Sequence, residues 1–589
     1  MLKSISLVIL SFSLCATASA VANPLALFVE QCLQYQPKLT YLSQNSSLTA
    51  AQQAVEFEKN TLALNNINDR IQYYRPFATE SLSKQGLLWC QLHLADELNA
   101  LTQAEETQKL IDVLQHQPSP YKQLSGRLLT IKQNQWDVEQ KSKLHSAQAS
   151  VNQALSQREL HMQFNHKQCV LPQSTTQIDT DNIDIHIAQY LIKQADENCR
   201  KQAWFAYQTR AKHKIKSALS YIHQLQQQRA LTQGYQNTAE AVLASHGINP
   251  NLLSQFLTDQ TEQLDTAPWN IARALSQTVK PEPIAAVSAQ AYLLQLLTKL
   301  APLGLSVELL TDNTQTETPV DTQSNDDAQP VINIIRLWHK QRLLGELYTY
   351  PLAQDTLSQG IDAQLIKQTV IGHQFGQYSI TYPNTLNTQK QQIKLIDALS
   401  QAIVSLSQGS QYYLLSNKTQ NSQQHAIASL WLSHYLRSTQ AFSPISTREQ
   451  LALQYQTQMR VFRAKVALSF YQFTGEIDDT EWLSRNPSLS DEFANSFGQP
   501  WPQATDVIYS YQAIANQGIS YYLPLWQQAL IQLITQQGND RLSNPAIFDL
   551  LVINEAYLPI NDQLEQLIGL PVDPHSLIWR FKHAGTMQE

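Results

Sequence analysis

The chain has 589 residues and a net charge of −7, from 41 Lys and Arg against 48 Asp and Glu. Its 16 glycines are about 3% of the residues, where an average domain carries about 7%, and charged residues are 15% against about 25%. With 43% hydrophobic residues, these values exclude collagen-like, disulfide-knot and disordered chains and argue against hairpin-rich β folds, which need positive φ. They also give no electrostatic reason to bind nucleic acid or anionic lipid. Gln supplies much of the polar surface and is a good helix former. The expected class is a large, mostly α protein with a small β element.

Residues 1–22 read as an export signal. Lys3 is the positive start, Ile5–Leu14 the apolar core, and cleavage fits after Ala20 or Ala22. The apolar run is too short for a transmembrane anchor, and no later run is long enough to span a bilayer. A periplasmic location follows as the expectation. Cleavage leaves Cys32, Cys90, Cys169 and Cys199, an even number that suits an oxidising compartment. Of the three possible pairings, Cys32–Cys90 and Cys169–Cys199 are preferred because both close local loops. None lies in a CxxC or zinc-finger spacing.

Residues 23–190 form an N-terminal region of helical character, and helical patterning continues over 191–310. Residues 311–330 are polar and Pro-containing, the composition of a solvated loop. After it, VINIIRLW and LLGELYTY read as two strands around His339-Lys340-Gln341. From Asp362, Leu365, Ile366 and Val370 lie near one face of a predicted helix, which places His373 and Gln377 one turn apart. A further helix follows Pro444. Ser446 and Glu449 have capping-box spacing. Leu451, Tyr455, Met459, Phe462, Val466 and Phe470 then step by three or four, a core stripe that Gly475 ends.

His373-Gln374-Phe375-Gly376-Gln377 has the frame of an HExxH zinc motif with Gln at the Glu and at the second His. With its surroundings it resembles the thimet oligopeptidase and oligoendopeptidase family of zinc peptidases, whose metal helix reads HEFGH. Ala203 to Arg210 is similar to that family's AYxAYxTRA helix, and Gln228 to Glu240 to its LRxExAxLLGYxNYAE segment. Leu343 to Tyr348 resembles LLGYFYLD. Gln512 to Trp526, QAIANQGISYYLPLW, resembles HIFGGYAAGYYSYLW without a gap, and Leu567 to Arg580 resembles the closing helix. The likeness covers about 190–580. It implies a two-lobed helical fold with a deep cleft, and a peptidase-like homologue over 331–585.

The resemblance also says where the chemistry would lie. His373, Gln377 and Asp397 stand at the zinc-ligand positions, and Gln374 at the general base. On the substrate loop, Gln512 replaces the family's His. Ala515, Asn516 and Ser520 replace glycines, and Gln517 and Pro524 replace tyrosines. Tyr521 is retained. The run between Tyr348 and His373 is shorter than the family's. A Gln amide cannot accept the proton that a base must take, and it is a poor zinc ligand beside imidazole. The implied function is a degenerate homologue that binds a peptide or an unfolded protein segment without catalysis, with no cofactor unless zinc still occupies the site. Two alternatives stand beside it. One is an active zinc oligopeptidase using His373, Asp397 and Gln377. The other is a structural partner of an envelope protein. No GxSxG, Walker A or GxGxxG pattern is present. His425 and His434, nine apart, form no ligand pair on a helix, and His575 reads as a surface residue.

Overall fold

The computed structural model describes residues 24–37, 48–133, 138–156, 169, 183–280, 284–310, 333–352, 360–416, 423–475, 477, 482, 484–538 and 540–583. Residues 1–22, read as an export signal, and 311–330, read as a polar loop, lie outside the described residues. The fold is mostly helical, as composition predicts, and it divides into two compact units, 1–132 and 133–589. Residues 133–190 fall in the second.

The first unit is built from α1 (Pro24–Leu33), α2 (Ala50–Tyr74), α3 (Ser81–Gln103), α4 (Glu105–Leu114) and α5 (Tyr121–Gln133). Thr49 and Gln52 form a capping box that starts α2. The Cys32–Cys90 disulfide joins α1 to α3 with a Cα separation of 5.6 Å. It lies among Phe28, Leu64, Ile71, Leu87 and Leu94.

The second unit begins with α6 (Val138–Ser156), α7 (Ile183–Lys193), α8 (Glu197–Gln208), α9 (Lys212–Thr232), α10 (Thr238–Ala244), α11 (Pro250–Asp259) and α12 (Pro268–Gln277). Cys169–Cys199 is the second disulfide, with Cα atoms 5.2 Å apart. Both preferred pairings are therefore present. Trp204 of α8 sits in an aromatic cluster with Trp269, Phe493 and Trp501.

A short strand β1 (Val287–Ser288) leads into α13 (Ala289–Thr298). A five-stranded sheet follows, made of β2 (Leu305–Leu310), β3 (Asn333–His339), β4 (Arg342–Leu352), β5 (Asp362–Lys367) and β6 (Gly376–Pro383) in the order β2-β3-β4-β6-β5. The expected hairpin is there, as β3 and β4. Its turn places Lys340 at φ 55°. The β4–β6 pair is parallel and the others are antiparallel. β7 (Thr385–Leu386) pairs with β1.

The structure overturns the helix expected from Asp362. That segment is β5, a turn and β6. Leu365, Ile366 and Val370 have helical spacing, but Gly372 and Gly376 each weaken a helix by about 1 kcal/mol, and Tyr378–Tyr382 is rich in strand formers. Gly372 adopts φ +85° in the turn. At Gly376 a Cβ would collide with Thr369 and Leu406, so β6 can lie against the following helix only with glycine there.

The remaining helices are α14 (Gln389–Ser407), α15 (Gln423–Ser438), α16 (Thr447–Gln472), α17 (Leu489–Phe497), α18 (Ala513–Asn516), α19 (Leu523–Gln537), α20 (Asn544–Phe548), α21 (Ile560–Ile568) and α22 (Pro574–His583). The Ser446–Glu449 capping box opens α16 as read from the sequence. Met459, Phe462, Val466 and Phe470 of its stripe are buried, and the helix stops at Gln472.

Candidate functional site: a polar cavity between four helices

α14 starts at a Thr388–Gln391 capping box and buries Leu395, Ile396, Leu399, Ala402, Ile403 and Leu406. Asp397 and Gln401, one turn apart, face the other way, into a cavity of about 670 Å³. α15 buries Ile427, Ala428, Trp431, Leu432 and Leu436. It turns His425, Ser429, Ser433 and Arg437, a row at i+4 spacing, toward the same space. α19 adds Pro524, Gln527, Gln528, Ile531, Gln532 and Thr535, and α16 adds Arg460.

Asp397 is already engaged. Ser433 Oγ donates to its Oδ1 at 2.5 Å, and Arg437 Nη2 donates to the same oxygen at 2.6 Å. His425 is 6% exposed, with Nε2 2.9 Å from Ser405 Oγ. Burial pushes its pKa down to about 4, which leaves a neutral ring at pH 7. His434 is also held below its ordinary value, by burial and then by the Arg437 charge. Ser429 Oγ and Arg437 Nε are buried with no hydrogen-bond partner among the described residues. Water entering the cavity, or a polar group bound there, would satisfy both atoms.

The three zinc-ligand positions are not brought together. His373 sits in the β5–β6 turn, where its N–H donates to Val370 O at 3.0 Å. Gln374 closes that turn, its Nε2 donating to Gln368 O at 2.8 Å. Gln377 is on β6 rather than one helical turn beyond His373. Its Nε2 donates to Glu346 Oε2 at 3.1 Å and to Tyr348 Oη at 3.0 Å, and Arg336 Nε donates to Glu346 Oε1 at 3.3 Å. Burial alone would raise the Glu346 pKa, but these hydrogen bonds and the one from Tyr348 outweigh it and hold the carboxyl below its usual range. Tyr348 is pushed up to about 12, by burial and then by Glu346. Of the ligand positions, Asp397 alone lines the cavity.

The segment expected to be a substrate loop is α18 followed by a 3₁₀ turn over Gly518–Tyr522. Its amides are tied to α6. Gln512 Nε2 donates to Ser156 Oγ at 3.0 Å, and Asn516 Nδ2 to Asn152 Oδ1 at 2.9 Å. Gln148 Nε2 donates to Ala515 O at 2.9 Å, and Tyr471 Oη to Ile514 O at 2.6 Å. Ala515 is buried, Gln517 N–H bonds Ala513 O at 2.8 Å, and Ser520 N–H bonds Gln517 O at 3.1 Å. Tyr521 packs on Tyr511, with ring centroids 5.4 Å apart. From this stretch, Pro524 reaches the cavity wall.

Sequence reasoning missed the α15 face and set His425 and His434 aside because they are not a ligand pair. The available signal was the polar row 425, 429, 433 and 437 beside the apolar face of Ile427, Ala428, Trp431, Leu432 and Leu436. Among the described residues no group of three His, Cys, Asp or Glu side chains is placed to hold a metal ion. No described helix is long and apolar enough to cross a membrane.

No protein-family profile and no curated protein matches the sequence. The fold does match a solved structure, the crystal structure of a "putative peptidase from Chlamydophila abortus". Its TM-score is 0.52 at 13% identity, over 96% of this chain and 95% of that one. The fold is peptidase-like. At that identity the likeness concerns the fold alone, and what the cavity does must come from its own side chains.

Proposed function

We propose that this chain is a non-catalytic, peptide-binding protein on a peptidase-like fold, with the cavity between α14, α15, α16 and α19 holding a peptide or an unfolded protein segment. The observation that carries this reading is the state of Asp397, the one carboxylate among the described residues lining the cavity. It is taken up by Ser433 and Arg437. A zinc hydrolase needs three converging donors, an open metal position and a base for the water. Here His373 sits in the β5–β6 turn away from Asp397, Gln377 is held in the sheet by Glu346 and Tyr348, Gln374 is an amide, and a guanidinium competes for Asp397. We therefore assign no metal and no hydrolytic step. The signal pattern at 1–22 and two disulfides favour an exported, periplasmic protein.

Elemental analysis of the purified chain and incubation with a mixed quenched-fluorescent peptide library test this. The expected result is substoichiometric zinc and no chelator-sensitive cleavage, with measurable peptide binding. One tightly held zinc per chain, with cleavage abolished by His373→Ala, would establish the oligopeptidase reading instead. Co-purification with an envelope protein, without any peptide affinity, would establish a structural role.

A further inference from the structure

We propose that the cavity receives the free C-terminal carboxylate of a short peptide, and that Arg460 is the group that takes it. This deepens the peptide-binding reading and rests on it. Three charged side chains line the cavity: Asp397, Arg437 and Arg460. The first two neutralise each other at 2.6 Å. Arg460, exposed on α16, has no hydrogen-bond or ion-pair partner among the described residues. His425 and His434 add no charge near neutral pH, because burial lowers both pKa values. The wall therefore presents one unopposed positive charge. It disfavours a metal ion or an ammonium group and favours a monoanion.

A guanidinium matches a carboxylate in two-point geometry, and a charge-assisted pair is stronger than neutral hydrogen bonds. The rest of the lining suits a peptide attached to that carboxylate. Gln527 and Gln528 can both donate and accept, as a peptide bond requires. Leu430 and Ile531 offer apolar surface to a side chain. The volume of about 670 Å³ lies within the usual range of 300–1,000 Å³ for small-ligand sites, which is room for a chain end rather than a folded surface. The backbone of an internal segment is uncharged and could pair Arg460 only through an acidic side chain, whereas every free C-terminal end supplies a carboxylate.

The test uses the mature chain and a degenerate fluorescein-labelled hexapeptide pool made as the free acid and as the C-terminal amide, with binding read by anisotropy. The free acid is expected to bind about tenfold tighter than the amide, the factor that about 1.4 kcal/mol supplies. Arg460→Gln should narrow the gap to within about twofold, and Arg460→Lys should restore part of it. Equal binding of the two pools by the wild type would overturn the inference and leave the peptide reading standing. So would an unchanged gap in a folded Arg460→Gln variant. Absence of binding by either pool would remove both. The wild-type comparison decides the matter even where a variant fails to fold.

Discussion

Acidification probes the cavity wall through His425. The ring is 6% exposed, and burial pushes its pKa down to about 4, against about 6.5 in an unfolded chain. At pH 7 both states hold the neutral ring, and the shift costs nothing. Below about 6.5 the unfolded chain takes up a proton that the folded chain refuses, so stability falls with pH. It levels only near the folded value of about 4. One pKa unit is worth about 1.36 kcal/mol, so a gap from 6.5 to about 4 amounts to about 3 kcal/mol. His425→Gln keeps a polar partner for Ser405 and cannot titrate. Urea unfolding of both proteins, followed by tryptophan fluorescence at steps from pH 7 to pH 4, isolates the effect, because the other acidic groups cancel in the difference. The wild type should lose about 3 kcal/mol relative to the variant across that window. Parallel pH curves, or an imidazole that titrates near 6.5 by NMR, would refute the reasoning.

Three further perturbations test the frame around the cavity. Gly376→Ala places a methyl against Thr369 and Leu406 and should cost about 2–3 kcal/mol; an unchanged thermal midpoint would contradict the packing of β6 on α14. Asn152→Ala with Ser156→Ala removes the partners of Asn516 and Gln512. Hydrogen exchange over 512–520 should quicken about tenfold, as loss of about 1–2 kcal/mol implies, with α14 unchanged. Cys169→Ser opens a disulfide whose cysteines are 30 residues apart, which the chain-entropy relation values at about 3–4 kcal/mol; chemical unfolding of the oxidised and variant proteins would show it as a lower midpoint.

Legibility in the sequence followed locality. The α16 capping box, its core stripe and the β3–β4 hairpin each depend on residues close together in the chain, and each was readable; the two disulfides span 58 and 30 residues and followed from pairing cysteines adjacent in the sequence order. The segment 362–383 was not. Three apolar residues at helical spacing competed with two glycines and a β-rich run, and pairing with β4 from outside the segment decided the outcome. The cavity fell between. Its i+4 polar rows on α14 and α15 were visible, but a search for metal ligands passes over Ser433, Arg437 and Arg460. Their convergence with α19 is a long-range fact of the fold that no local pattern encodes.

The amide-rich lining bears on what the cavity can do. A hydrolytic cleft keeps a carboxylate or imidazole within reach of the reacting proton and near its working pKa so that a proton can move. Here the carboxylate of Asp397 is held by Ser433 and Arg437, and His425 is shifted well below neutrality. Gln401, Gln527, Gln528 and Gln532 neither titrate nor change their donors and acceptors with pH. Such a wall forms the same hydrogen bonds over the whole range in which His425 stays neutral, and it favours steady recognition over proton transfer. If that is its role, Asp397→Asn should disturb ligand binding through the loss of its hold on Arg437, whereas in a hydrolase the same change would strike turnover first. A binding titration and a cleavage assay on that one variant therefore separate recognition from catalysis.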